Sequence, residues 1–381
     1  MKDIYIAKCP DYSEEAVGRA LEQILCRSGL LDFIKPDMTV GIKANLVSFM
    51  KPETAATTHP EVLRVLCNLI VGKGASVIIG DSPGGLYNQA FVGRVYTATG
   101  MRNLVCEGVR LNENFEQRFA EFPEGKVLKT FHYTAWLDEC DAIINFCKLK
   151  SHGMMGMSAA VKNMFGVIPG TMKPEYHFRF KEHTDFADMM VDLNEYFKPS
   201  LCICDGVIGM EGNGPTAGTP REIGLLLASA SPYKLDLACA HIIGLGADKI
   251  PTLASSIKRG LAPENISDLS VEGDLQNAAI PDFENVEIAK SLQFAGKGSI
   301  LGRVFGGIVG TALASKPVLV PKECVGCQEC FKICPAKAIT MKNNKPVIDR
   351  KKCIRCFCCQ EFCPKGALKV KRTPIAKLLN K

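Results

Sequence analysis

The chain has 381 residues, more than one ordinary domain needs, so it can bury a substantial core and still carry a smaller second unit. Hydrophobic residues make up 47% and charged residues 23%, and nowhere do about twenty uncharged apolar residues run together, which excludes an ordinary membrane-spanning helix. The formal net charge of +6 is unevenly spread: Lys322 to Lys381 carries fifteen Lys/Arg against four Asp/Glu, a surplus of eleven, which leaves the remainder at −5.

The first predicted element is a strand at 4–7. No basic segment, apolar stretch or small-residue cleavage site precedes it, so the expected location is the cytoplasm. Apolar positions at helical spacing behind Ser13 and Glu15 predict a helix over 13–27, and Pro60 opens another over 60–72. Further strands are predicted at 39–44, 76–80, 142–146, 201–204 and 223–228, with the last helix of this region at 232–245. Alternating strands and helices imply an α/β domain with a mostly parallel sheet over 1–290.

Open α/β sheets bind ligands at the carboxyl ends of their strands. Four polar or glycine-rich junctions fall at such ends: Lys43-Ala44-Asn45, Gly80-Asp81-Ser82-Pro83-Gly84-Gly85, Lys148 to Gly153, and Asp205-Gly206 with 211–215. Lys148, Lys150 and Lys162 with His152 would form a cationic, proton-donating cluster suited to a small anionic carboxylate or phosphate substrate, or to a flavin phosphate. Lys162, His152 and Asp81 are the candidate catalytic residues. Lys43, Asn45, Lys150, Asn163, Gly84 and Gly85 are the candidate cofactor-binding residues, the glycines because they admit close backbone approach.

His59, ahead of Pro60, reads either as a site acid/base or as local turn packing. Cys202 and Cys204 alternate across an apolar strand and are expected in the core, as are Cys26, Cys67 and Cys239. There is no Gly-x-Gly-x-x-Gly turn and no Walker loop, so neither a dinucleotide nor an NTP site is supported. A glycine-rich apolar connector follows at 291–320; its most apolar stretch, 298–314, is interrupted by Arg303.

The next element carries the strongest signal in the chain. Half of the eighteen cysteines lie within 324–363, where Cys324-x2-Cys327-x2-Cys330-x3-Cys334-Pro335 is repeated as Cys353-x2-Cys356-x2-Cys359-x3-Cys363-Pro364. This is the bacterial ferredoxin spacing written twice, and it predicts a small α+β iron–sulfur domain over 321–372 with two [4Fe–4S] clusters. The fourth cysteine of each run ligates the other cluster, so cluster one takes Cys324, Cys327, Cys330 and Cys363, and cluster two takes Cys353, Cys356, Cys359 and Cys334. Zinc is the competing reading, disfavoured by two complete runs with trailing prolines. Cys358 belongs to neither run and reads either as a spare thiol packed near a cluster or as an alternative ligand after cluster damage.

A basic tail closes the chain at 373–381. Each oxidised cluster with its thiolates brings about −2, so the module keeps a positive excess that suits its acidic neighbour or an acidic redox partner protein of ferredoxin or reductase type. Nucleic acid is not expected as a partner, since Phe331, Phe357 and Phe362 all sit beside predicted ligands.

Thr57-Thr58-His59-Pro60-Glu61-Val62, Gly80-Asp81-Ser82-Pro83, Lys150-Ser151-His152, Val161-Lys162-Asn163-Met164-Phe165-Gly166 and Asp205-Gly206-Val207 together resemble the family called domain of unknown function 362, often fused to a ferredoxin domain. The likeness covers about 1–250. It implies a bacterial or archaeal, often anaerobic, cytoplasmic iron–sulfur protein and no settled substrate. His152, the Lys162 segment and Pro169-Gly170 are similar to the lactate racemase family, a likeness that carries over neither a nickel cofactor nor a racemase reaction.

The expected function is an iron–sulfur oxidoreductase, its clusters feeding electrons to a substrate or flavin at the strand ends of the α/β domain. The alternative is a non-catalytic electron carrier whose N-terminal domain binds a protein partner.

Overall fold

Alternate residues of the central strands fall into two separate apolar clusters, one on each face of a single sheet. Ile4 and Ile6 pack in one cluster and Tyr5 and Ala7 in the other; Cys202 and Cys204 divide from Leu201 and Ile203 in the same way. This is the period of two of a strand buried on both faces. The computed structural model describes residues 1–286 and 316–371. Most of the expected connector at 291–320, including 298–314, and the basic tail at 373–381 lie outside the described residues.

The large domain begins with β1 (Ile4–Lys8), α1 (Glu14–Leu21), β2 (Thr39–Lys43), α2 (Pro60–Val71), β3 (Ser76–Gly80), α3 (Gln89–Ala98) and β4 (Val109–Leu111). After a separate hairpin of β5 (Gln117–Glu121) and β6 (Thr130–Thr134) come β7 (Ala142–His152), β8 (Gly156–Ser158), α4 (Ala160–Asn163), α5 (Lys173–Arg179) and α6 (His183–Phe197). It ends with β9 (Leu201–Glu211), β10 (Thr219–Ser229), α7 (Pro232–Ile242), α8 (Pro251–Lys258) and β11 (Val271–Glu272).

The sheet order is β11-β1-β10-β9-β7-β2-β3-β4, with β8 hairpinned onto β7. The run from β9 through β7, β2 and β3 to β4 is parallel; β10 is antiparallel to both β1 and β9. The expected α/β class with a mostly parallel sheet therefore holds.

Local chemistry explains the helix starts. Ser13 caps α1, its side chain accepting from the Ala16 N–H, while Glu14 and Glu15 complement the positive end of the helix dipole. The helix continues as a wider π-helical turn over Glu22–Cys26. At its end Cys26 is exposed, not in the core as expected, whereas Cys67, Cys202, Cys204 and Cys239 are buried. His59 caps α2, its Nδ1 accepting from the Glu61 N–H at 3.3 Å, and its ring stacks on Tyr12 at 3.6 Å.

Three strands outrun the prediction. β7 and β9 were expected to end at 146 and 204, but each extends to eleven residues, and β10 starts four residues earlier than expected. Polar residues read as loop because a buried charge needs a partner, and here partners exist: Lys148 Nζ meets Asp205 Oδ2 at 2.9 Å and the Tyr12 hydroxyl at 2.6 Å. The helix at 232–245 is also not the last, since α8 follows it. Helix α6 escaped the sequence pattern because its buried face includes Asp188, Asp192 and Asn194. Asp192 accepts the Val127 and Leu128 N–H groups and pairs with Arg259 at 2.8 Å, so its charge is satisfied internally.

The small module pairs β12 (Lys316–Leu319) with β15 (Leu368–Lys371), and β13 (Ile339–Lys342) with β14 (Lys345–Ile348). Its two one-turn helices, α9 (Glu329–Lys332) and α10 (Cys358–Glu361), repeat each other in detail. Each is preceded by a left-handed residue, Gln328 at φ 66° and Phe357 at φ 60°. Among the described residues no helix is long and apolar enough to cross a membrane.

Candidate functional site

In the small module four thiols line each of two hollows. Cys324, Cys327, Cys330 and Cys363 line one of about 360 Å³, and Cys334, Cys353, Cys356 and Cys359 line one of about 330 Å³, open mouths included. The fourth cysteine of each run thus crosses to the other run's hollow. Backbone N–H groups of Ala338 and Ala367 donate to Cys334 Sγ and Cys363 Sγ, both at 3.2 Å, a matched pair of hydrogen bonds that stabilises thiolate sulfur. Among the described residues no three His, Cys, Asp or Glu side chains converge closely enough to hold a single metal ion. Four thiols around each hollow supply the donor set of a [4Fe–4S] cluster. Cys358 is fully buried between the two ligand positions that flank it.

A third cavity, about 650 Å³ with its mouth, opens at the carboxyl ends of β2 and β3 and beside β7. Lys43 enters it from the end of β2 and pairs with Asp81, which follows β3, at 2.8 Å. The second Asp81 oxygen accepts the Leu46 N–H at 2.8 Å, so this carboxylate is fully engaged as a counter-ion. The pair passes so close to Gly166 that a Cβ there would lie 2.2 Å from Asp81 Oδ1. Asn163 on α4 ties the floor together, its Oδ1 accepting from Lys43 Nζ at 3.1 Å and Asn45 Nδ2 at 2.9 Å.

Lys150, in β7, donates to Asn45 Oδ1 at 2.7 Å and the Ala56 carbonyl at 2.8 Å. Burial, reinforced by repulsion from Lys162, pushes its ammonium down to about 7. Lys173, from α5, donates to the Ser82 carbonyl, and burial brings it to about 8. Lys162 is half-buried and lies over the Phe165 ring at 5.7 Å.

The last wall comes from the iron–sulfur module. Glu361 and Phe362, between Cys359 of one hollow and Cys363 of the other, face the lysines. Glu361 Oε1 lies 2.9 Å from His152 Nε2. His152 Nδ1 accepts the N–H groups of Met154 and Met155 at 3.1 and 3.2 Å, which places the imidazole proton on Nε2. Burial and the nearby Lys162 push this histidine down to about 4, so it is a neutral donor. Burial alone would raise the Glu361 carboxyl, but Lys162 and the His152 hydrogen bond hold it below the usual carboxylate range.

Gln360 Nε2 donates to the Asn213 carbonyl at 3.0 Å, clasping the β9–β10 loop. Phe362 covers Gly84 so closely that a Cβ there would lie 2.7 Å from its ring.

The structure therefore gathers Lys43, Asn45, Asp81, Gly84, Lys150, Lys162 and Asn163 around one cavity. His152 stands behind the wall, its ring spent on Glu361. Gly85 packs against Phe91 and does not line the cavity, and Lys148 is withdrawn into its pair with Asp205. Sequence reading missed Lys173, His177, Glu361 and Phe362. Glu361 left one trace, as one of only four acidic residues in the strongly basic region from Lys322 to Lys381; the others have no local signature.

A parallel-centred α/β domain joined to a module with two four-thiol hollows defines an iron–sulfur protein. Residues 40–241 match the model of "Domain of unknown function (DUF362)", and residues 316–364 that of a "4Fe-4S dicluster domain". The chain belongs to the DUF362 family, with a 4Fe–4S domain fused behind it. It is 31% identical over 274 residues to "Thylakoid-associated protein sll1697" of Synechocystis sp., covering 69% of this chain and 81% of that one.

Among solved structures, lactate racemase apoprotein from Thermoanaerobacterium thermosaccharolyticum matches with TM-score 0.42 and 12% identity, over 65% of this chain and 58% of that chain. A Thermotoga maritima protein matches with TM-score 0.33 and 12% identity, over 56% and 55%. The chain thus spans less than two thirds of either solved structure, and these likenesses are too distant to bear on function. None of these comparisons supports a flavin.

Proposed function

We propose that this protein is an iron–sulfur oxidoreductase in which Cys324, Cys327, Cys330 and Cys363 hold one [4Fe–4S] cluster and Cys334, Cys353, Cys356 and Cys359 the other, serving a substrate bound in the lysine-lined cavity. When bound, such clusters supply one-electron transfer. The observation that carries the reading is the shared wall: Glu361 and Phe362, within the stretch between Cys359 and Cys363, also face the cavity. Reducing chemistry and substrate are thereby brought within a few side chains of each other. Lys162 and Lys173 place positive charge toward the cavity, and the Lys43–Asp81 pair and Asn163 hold its floor. The reduced thiols suit a cytoplasmic setting.

The module exposes Val325, Phe331 and Val347 and carries a surplus of basic residues, features suited to an acidic redox partner protein that supplies the electrons.

The test is anaerobic. Purified protein is expected to hold about eight irons and eight sulfides per chain, whereas stoichiometric zinc without sulfide sinks the cluster assignment. Pre-reduced protein is then mixed with small-molecule oxidants, and reoxidation is followed by cluster absorbance. An acceptor that discharges the wild type but discharges Lys162→Ala and Lys173→Ala far more slowly, at equal iron content, places the reaction in the cavity. Equal rates would leave the N-terminal domain as the partner-binding half of an electron carrier.

A further inference from the structure

The cavity holds more positive charge than its own carboxylates neutralise. Four lysines, Lys43, Lys150, Lys162 and Lys173, face two carboxylates, Asp81 and Glu361. Lys43 and Asp81 satisfy each other at 2.8 Å. The hydrogen bonds of Lys150 go to neutral oxygens, Asn45 Oδ1 and Ala56 O, and that of Lys173 goes to the neutral Ser82 carbonyl. Among the described residues Lys162 Nζ makes no hydrogen bond, and Glu361 stands 2.9 Å from His152 Nε2 and not in an ion pair with a lysine. Beside them His177, 2% exposed, lines the cavity with an Nδ1 that has no hydrogen-bond partner among the described residues.

Uncompensated buried charge and an unpaired buried imidazole nitrogen are each unfavourable in a folded chain, and one ligand relieves both. The shape narrows its class. Lysine ammonium groups from a strand, from α4 and from α5 approach one space from different directions, which suits a compact group with several acceptor oxygens better than an extended polyanion. With only about 70 Å³ open to the centre of a water-sized sphere, the cavity admits a compact small molecule and not a segment of nucleic acid.

We propose that the cavity binds a small-molecule oxyanion carrying about two negative charges, a phosphate monoester or a dicarboxylate, through Lys150, Lys162 and Lys173 with His177 as a further donor. Glu361 is the like charge this ligand meets, so the iron–sulfur module contributes a repulsive element that limits affinity and selects for ligands able to displace or bridge it. The inference rests on reading the cavity as the substrate site, but its test needs no electron transfer.

The experiment is calorimetric titration of the cluster-loaded, oxidised full chain at low ionic strength, with inorganic phosphate in one arm and malonate in the other. Saturable binding of one probe per chain is expected. A preference for phosphate assigns the phosphate monoester, a preference for malonate the dicarboxylate, and equal binding supports the shared oxyanion chemistry. Lys162→Gln and Lys173→Gln should each weaken binding about tenfold with cluster absorbance unchanged, the scale of one charge-assisted contact. Glu361→Gln should tighten it by a similar factor. No saturable binding of either probe, or binding that both lysine variants leave unchanged, overturns the inference. If anions bind as expected but no oxidant discharges the clusters through the cavity, electron delivery fails and the oxyanion site stands.

Discussion

Glu361 Oε1 and His152 Nε2 lie 2.9 Å apart, a buried polar contact that brings the cysteine-bearing helix of the iron–sulfur module against the long central strand β7 of the α/β domain. The two residues are 209 positions apart and sit in separately recognised sequence regions. Their contact makes the cavity a property of the whole chain.

Removing this contact should cost stability on both sides. Glu361→Ala removes the carboxylate that stands 2.9 Å from the buried His152 Nε2 and leaves that nitrogen with no polar neighbour from the module, a loss of roughly 1–3 kcal/mol. The expected readout is a lower midpoint of thermal unfolding for the anaerobic, cluster-loaded protein. Glu361→Gln keeps an acceptor oxygen and should lose less.

Docking of the module also depends on absent bulk at Gly84. Gly84→Ala drives a methyl group into the Phe362 ring at a starting separation of 2.7 Å. Overpacking of this kind costs about 1–3 kcal/mol. Phe362→Ala in the same chain should recover part of that loss, and a double-mutant cycle on unfolding midpoints measures the coupling.

The buried Lys43–Asp81 pair separates structural charge from ligand-binding charge. Asp81→Asn leaves Lys43 uncompensated, and breaking a buried pair costs about 3–5 kcal/mol. Lys43→Met combined with Asp81→Leu removes both charges at once and should be better tolerated than Asp81→Asn alone in chemical denaturation.

Anion binding should depend on pH in a direction set by the lysines. With Lys150 held near 7 and Lys173 near 8, chiefly by burial, both carry charge at pH 6 and neither does at pH 9. Malonate is itself fully doubly charged above about pH 7, so its binding should weaken progressively as pH rises from 7 to 9. Lys150→Met should flatten the first part of that decline. A bound anion favours the charged ammonium, so the decline should move to higher pH at saturating malonate.

The crossed arrangement of thiols has its own test. Cys334→Ser and Cys356→Ser line the same hollow, so the double variant should lose no more iron than either single variant. Cys334→Ser with Cys327→Ser spans both hollows and should lose about twice as much. The opposite pattern, with iron loss grouped by consecutive runs, would falsify the crossed assignment.

Much of this was legible in order along the chain. Thiol ligand sets show in sequence because cluster chemistry demands close cysteine spacing within one short loop, and the duplication of Cys324 to Pro335 at Cys353 to Pro364 shows twice over. The α/β alternation shows because apolar runs such as Val77-Ile78-Ile79 need burial wherever they lie. That Lys43, Asn45, Asp81 and Lys150 share one cavity could be expected from their place at strand ends of such a sheet, whereas Lys162 and Asn163 reach it from α4. Tertiary structure alone decided that Lys148 leaves this group for Asp205, that Lys173 and His177 join it, and that Glu361 closes it from the other domain. The physical reason is that a buried charge settles where a partner stands, and the partner is set by how strands and modules pack, a relation that sequence spacing does not encode.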